Sequence, residues 1–212
     1  MIKIFLSILL LVMAGNANEM GSKGGSCTLT QEGPLVVDFK AYKTAAKIGV
    51  GGVFDTVVYT SKVSSGKNFR EIFIGETVSI NTASVNSKNK ERDDKLVTFF
   101  FEKMLGKEIT AKILDYKSDK IFKGKPKTGM FMVEITMNGV TKTVPMNSTY
   151  DSGVIKANGV IDIFDFSAND ALSSINKACY DLHEGKTWND VTIGFTTKVK
   201  STLCDVPKKN RL

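Results

Sequence analysis

The chain is poor in the residues from which most catalytic and metal sites are built. Its 212 residues include one histidine, one tryptophan, three cysteines and four prolines. A single histidine excludes zinc sites of the three-histidine or HExxH kind. The cysteines at 27, 179 and 204, taken with His183, lack the paired CxxC spacing of a structural zinc site. So few prolines exclude Pro-rich and collagen-like chains, although glycine is frequent at 18. Gly49-Val50-Gly51-Gly52 lacks the Lys-Ser/Thr of a phosphate loop and reads as a bend or bulge in a strand. No internal repeat of roughly 20–50 residues is present. Past the N-terminus no apolar run approaches the roughly 20 residues that a membrane-spanning helix needs.

What is present is enough for one sizeable core. Hydrophobic residues make up 42% and charged residues 24%, which excludes a disordered or acidic solvating chain. The formal charge is +7. Met1–Ala17 has the layout of a secretory signal: Lys3, an apolar run from Ile4 to Met13, then small Ala14, Gly15 and Ala17. No cysteine follows at once, so a lipid anchor is not expected. The mature chain is expected to be exported and soluble. Asn18–Ser26 is small and polar and reads as a flexible leader, with the leader region set at 18–34, the domain at 35–204 and a basic tail at 205–212.

The body of the chain alternates with period two, the mark of half-buried strands. Leu35, Val37, Phe39 and Ala41 alternate with Val36, Asp38, Lys40 and Tyr42, and further strands are expected at Val53–Thr60, Arg70–Ile74, Thr77–Thr82 and around Ile109–Leu114. Asn138-Gly139 is a type I′ hairpin signal joining Met130–Met137 to Val140–Tyr150. Asp151-Ser152-Gly153 leads into Val154–Phe164, and the last strand is expected at Asp190–Leu203. Two helices are expected, one at Arg92–Lys103 and one capped by Ser167 with Asp170 and closed by Gly185. The second carries Ala171, Ile175, Ala178 and Leu182 on one face, with Cys179 beside them. The side opposite the apolar one carries Asp38, Lys40, Lys112, Lys156, Asp162, Lys198 and Lys200, which fits a water-facing exterior rather than an outer-membrane barrel.

About eight to ten strands with short connections point to a sandwich or a closed barrel. In an even-stranded up-and-down barrel the first and last strands pair antiparallel. Cys27 would then lie near Cys204, the expected disulfide, with pairings through Cys179 as the alternatives. His183 near the end of the second helix is expected to act as a cation favoured by the helix dipole. Arg92, Asp93 and Asp94 are expected to supply N-terminal helix charge or one salt bridge under the barrel. The basic run Lys117, Lys120, Lys123, Lys125 and Lys127 reads as a solvated loop or as a surface for transient contact with lipid headgroups. Export and the absence of interleaved aromatics argue against nucleic acid as a partner.

Several stretches resemble the YceI-like family of periplasmic polyisoprenoid-binding proteins. Arg92-Asp93 with Leu96, Phe99 and Phe100 is similar to the family's Arg-Asp…Leu…Phe-Phe helix. Thr136-Met137-Asn138-Gly139-Val140-Thr141-Lys142 is similar to its hairpin, Ala157 to Phe166 to the next strand and exit, and Asp190-Val191-Thr192-Ile193 to the start of its final strand. The resemblance spans roughly residues 35–203. It departs in the first strand pair, where the family's histidines are replaced by Val37–Tyr42 and Ile48–Val50, and in the longer second helix. The resemblance implies a mainly β fold: an antiparallel, lipocalin-like β-barrel of about eight strands with two short helices.

It further implies a non-enzymatic carrier that holds a long apolar lipid, such as an isoprenoid quinone, a polyprenyl chain or a fatty-acid derivative, and no other cofactor. Phe39, Ile113, Phe131, Val133, Ile135, Ile161 and Phe195 would line the lumen; the same residues would otherwise fill a solid barrel core. A homodimer is left open. A small exported thiol, redox or hydrolytic enzyme on the same barrel is the alternative, for which Cys179 lacks a flanking base.

Overall fold

Alternation of inward and outward side chains builds most of the molecule. The computed structural model describes residues 28–202, and in it eleven strands form one antiparallel sheet. In chain order the elements are β1 (Thr28–Lys43), β2 (Ile48–Phe54), β3 (Val57–Thr60), the two-residue β4 (Ser65–Gly66), α1 (Phe69–Phe73), β5 (Thr77–Asn81) and the two-residue β6 (Val85–Asn86). Then follow α2 (Lys90–Phe99), β7 (Glu108–Ser118), β8 (Lys127–Met137), β9 (Val140–Asp151), β10 (Val154–Asp162), α3 (Asn169–Ala178) and β11 (Asp190–Thr202). The spatial order is β3-β5-β7-β8-β9-β10-β11-β1-β2-β6, with β4 against β1.

The sheet curls into a half-barrel. Its two ends are joined by the chain itself, because only Asp55 and Thr56 separate β2 from β3. Asp55 N–H donates to Ser84 O (2.9 Å) and Thr56 O accepts from Asn81 N–H (3.1 Å), which fixes the corner. One long strand therefore bends so that its first part pairs with β1 and its second with β5. A seam remains where β1–β2 faces β3–β5 without a continuous ladder.

The long hairpin is the expected one. Asn138 and Gly139 both take positive φ, and β8 pairs with β9 over eleven residue pairs from Met137↔Val140 to Lys127↔Tyr150. The strand count exceeds eight because the corner splits one strand in two and β4 and β6 are short additions. β1 and β11 pair antiparallel from Thr28↔Thr202, as barrel closure requires. β1 begins at Thr28, seven residues before the expected start of the domain, because Gly33 and Pro34 form a bulge that hides the alternation upstream. Cys27 and Cys204 lie outside the described residues.

Other local expectations are corrected. Phe69–Phe73 is a helix, not the strand expected at Arg70–Ile74. Asn68 caps it: Asn68 Oδ1 accepts from Glu71 N–H (3.0 Å) while Glu71 Oε2 accepts from Lys67 N–H (2.7 Å), close to a capping box. α2 ends at Phe99, and Phe101–Lys103 is a separate 3₁₀ turn. β10 stops at Asp162, and Ile163–Phe166 is another 3₁₀ turn. Ser167 closes that turn in the left-handed region instead of capping α3, which starts after Ala168 without a side-chain cap. α3 ends at Ala178, so Leu182 falls outside it and is exposed. β2 runs unbulged through Gly49–Gly52; Gly52 makes room for Phe39, whose ring would lie 2.8 Å from any Cβ there.

Aromatic rings of the core gather at the end closed by α1. Phe131 is fully buried, with its ring 5.5 Å from Phe73, 4.6 Å from Tyr116 and 5.4 Å from Phe195. Phe69 stacks edge-on against Tyr116 and Tyr150. Aromatic pairs at these separations add about 0.5–1.5 kcal/mol each beyond the area they bury. A bulge at Leu114 makes this packing possible. Ile113 pairs with Val133 and Asp115 with Met132, so the parity of β7 inverts and Tyr116 turns inward after Ile113.

Candidate functional site

Beyond the aromatic end, the inward side chains leave space. An apolar cavity of about 110 Å³ is walled by residues from strands all around the half-barrel. From the seam side come Leu35, Val37, Phe39, Phe54, Val78 and Ile80; from the facing wall come Ile113, Val133, Ile135, Met146, Ile161 and Phe195. Inward alternation on β8 puts Phe131, Val133, Ile135 and Met137 in the core while Met130, Met132, Glu134 and Thr136 are only half-buried. One face of one strand thus serves both the packed end and the cavity. Phe39 lies 5.6 Å from Phe54, and Phe54 lies 5.9 Å from Phe101, so three rings cover the cavity near the α2 end.

The seven residues expected inside the barrel divide between the two regions. Phe39, Ile113, Val133, Ile135, Ile161 and Phe195 line the cavity. Phe131 sits in the aromatic cluster, closed off from it. The sequence reading missed Leu35, Val37, Phe54, Val78, Ile80, Ala111, Met137 and Met146 as cavity walls, although most of them stand on the same alternating faces.

Asp38 is the one charged residue among the cavity's neighbours. In register it sits beside Gly194, with Asn158 on the far side, and Asn158 belongs to the outward positions of β10. Half-burial raises the Asp38 pKa above the ordinary carboxylate value, and Lys156 partly offsets this. A larger concavity of about 370 Å³ lies on the outer surface of β3, β5, β7 and β8, walled by Thr60, Thr77, Ser79, Thr110, Lys112 and Glu134. Hydroxyls and charges face water there beside the exposed Val58. The apolar cavity inside the half-barrel is therefore the candidate site for an apolar ligand.

The helices at the cavity end are held by polar clamps. Asp93 Oδ1 accepts from Ser87 N–H (2.9 Å) and from the Ser87 hydroxyl, while Arg92 Nε donates to Ser87 Oγ (2.7 Å) and its Nη2 donates to Ser87 O (2.5 Å). Arg92 and Asp93 therefore fasten the first turns of α2 to Ser87, the residue after β6, and Asp94 pairs with Lys90 one turn back. Tyr42 and Trp188 sandwich Lys47, whose Nζ lies 5.1 and 4.8 Å from the two rings and 2.7 Å from Asp190 Oδ2. This pins the β1–β2 turn to the start of β11.

His183 does not act as a helix-end cation. Burial, reinforced by Lys43 and Lys95, pushes its pKa below the ordinary value and keeps the ring neutral at pH 7. Its Nδ1 meets Thr187 Oγ1 at 2.7 Å. Cys179, the residue after α3, is a buried thiol with no disulfide partner among the described residues, and burial pushes its pKa up. That setting opposes the thiolate a redox or nucleophilic cysteine needs. Among the described residues no helix is long and apolar enough to cross a membrane.

Residues 30–199 match the YceI-like domain. The chain belongs to the YceI-like family. Its fold is shared with a polyisoprenoid-binding domain from Saccharophagus degradans at a TM-score of 0.54 and 14% identity, over 84% of this chain and 100% of that one. BcnA of Burkholderia cenocepacia gives 0.51 and 16%, over 78% of this chain and 96% of that one. A YceI protein of Campylobacter jejuni gives 0.50 and 21%, over 72% of this chain and 85% of that one. A comparison with curated proteins found no match. Within this YceI-like domain, the Arg92–Asp93 motif is the Ser87 clamp, and the Asn138-Gly139 motif is the turn that ends β8 beside the cavity wall residue Met137.

Proposed function

We propose that this YceI-like protein is an exported, non-enzymatic carrier that sequesters a long apolar chain in its half-barrel. The observation that supports the reading is an apolar cavity inside the half-barrel whose walls are mostly aliphatic and aromatic side chains. Burying an alkyl or prenyl chain there gains about 0.8 kcal/mol per CH₂ without polar anchors. The name of the Saccharophagus relative points to the same ligand class. The signal-like N-terminus supports a periplasmic location, where a Cys27–Cys204 disulfide would tie together the ends of β1 and β11.

The cavity of about 110 Å³ receives only part of such a chain, since sites for drug-sized ligands hold roughly 300–1,000 Å³. Uptake therefore requires side chains to move, and the seam beside Phe39, Phe54, Val78 and Ile80 is where no ladder resists. Native mass spectrometry of protein purified from the exported fraction, with organic extraction, tests the reading. A stoichiometric long-chain lipid or quinone is expected. Protein that is empty and also refuses added prenyl chains contradicts it.

A further inference from the structure

The loop between β7 and β8 carries an exposed apolar pair among cations. Residues 117–128 are all exposed, and among them are Ile121 and Phe122, adjacent in sequence and 62% and 60% exposed. Single exposed apolar residues are ordinary on a protein surface. Here two large ones stand together at the tip, and five lysines surround them: Lys117, Lys120, Lys123, Lys125 and Lys127. The one acid, Asp119, is spent at the neck, where its Oδ2 accepts from the Thr128 hydroxyl (2.7 Å) and its N–H donates to Thr128 O (3.0 Å). The tip is a defined turn. Lys125 N–H donates to Phe122 O (3.2 Å), with Gly124 in the left-handed region that a type II turn requires at its third position. Lys120 Nζ lies 5.7 Å from the Phe122 ring centroid, so cation and apolar side chain present one surface.

We propose that this loop is a membrane anchor: Ile121 and Phe122 insert into the interface of an anionic bilayer while the five lysines meet its headgroups. The chemistry is that of interfacial apolar side chains backed by cations, in which burial of apolar surface and attraction to anionic lipid add together. The two contributions belong to different residues, so they are separable by mutation. The loop lies at the end of the half-barrel closed by Phe69, Tyr116 and Tyr150, away from the rings that cover the cavity. The anchor therefore stands whether or not the cavity carries a lipid.

Co-sedimentation of the purified protein with vesicles tests it. Wild type should bind vesicles of phosphatidylglycerol mixed with phosphatidylcholine and bind pure phosphatidylcholine far more weakly. Replacing Lys120, Lys123 and Lys125 with serine should weaken binding roughly a hundredfold, about fivefold per lysine. Ile121→Ser with Phe122→Ser should weaken it by about tenfold or more with all lysines in place. Phe122→Trp should bind like wild type, with its added emission shifting to the blue on the vesicles. Failure of wild type to bind anionic vesicles overturns the proposal. So does wild-type binding by the Ile121/Phe122 double variant, or tip emission that does not move on binding, since either means that the tip stays in water.

Discussion

At the residue scale the most informative side chain is Asp38, half-buried on the outer face of β1 beside Gly194 and Asn158. Burial raises its pKa above 3.8, so the folded state holds the proton more tightly than the unfolded one. Stability then falls as pH rises from the ordinary carboxylate value through the raised one, because over that window the unfolded chain binds fewer protons. Asp38→Asn should therefore raise the unfolding midpoint at neutral pH, and the gain should vanish well below pH 3.8, where Asp38 is protonated in both states. Thermal unfolding of the two proteins across that range checks the sign. A loss of stability at pH 7 would mean that Lys156 outweighs burial. Tyr59 is governed by the same physics: burial first, then the nearby Glu76 carboxylate, lift its phenol well above the ordinary value. Among the described residues neither Tyr59 Oη nor Glu76 Oε2 has a hydrogen-bond partner, and Glu76 Oε1 accepts from Lys62 N–H at 2.8 Å.

At the scale of elements, one turn holds three parts together. Asn138 Nδ2 donates to Phe166 O (2.9 Å) and Ser167 O (3.0 Å), and its Oδ1 accepts from Leu105 N–H (2.7 Å). The β8–β9 hairpin is thereby tied to the turn before α3 and to the chain after α2. Asn138→Gly keeps the positive φ and removes all three bonds, so the expected loss is about 1–3 kcal/mol, read from denaturant unfolding. An unchanged midpoint would show that the turn conformation alone matters. Asn138-Gly139 was legible in the sequence as a hairpin; its side-chain bonds were not, because they reach residues 28 to 33 positions away. α1 shows the reverse case. Its apolar residues suit a strand, yet Asn68-x-x-Glu71 carries a local capping signal that outweighs the pattern over only five residues. In α3 Ala171 and Ile175 are buried as their spacing requires, but Ser167 closes the preceding 3₁₀ turn and leaves α3 without a side-chain cap.

At the scale of the whole molecule, strand alternation placed most inward residues correctly, since a one-residue slip would have inverted every one of them. It failed at the two bulges. The bulge at Leu114 turns Tyr116 inward, and the bulge at Gly33-Pro34 hides the first part of β1. Alternation also cannot tell a packed core from a lumen, which is why Phe131 and Val133 looked alike and yet lie in different regions. That difference is set by what closes each end: α1 and its aromatic cluster at one, the Phe39–Phe54–Phe101 rings at the other. The carrier account depends on the second region accepting a chain. Ala111 lines the cavity on β7, between inward Ile109 and Ile113, and a larger side chain there fills the space from within. The most direct measurement is titration of wild type and Ala111→Trp with a fluorescent prenyl chain, with thermal unfolding confirming that both are folded. Saturable binding by wild type, lost by at least about tenfold in Ala111→Trp, is the predicted result. Equal binding by the two folded proteins would place the ligand outside the half-barrel and contradict the account.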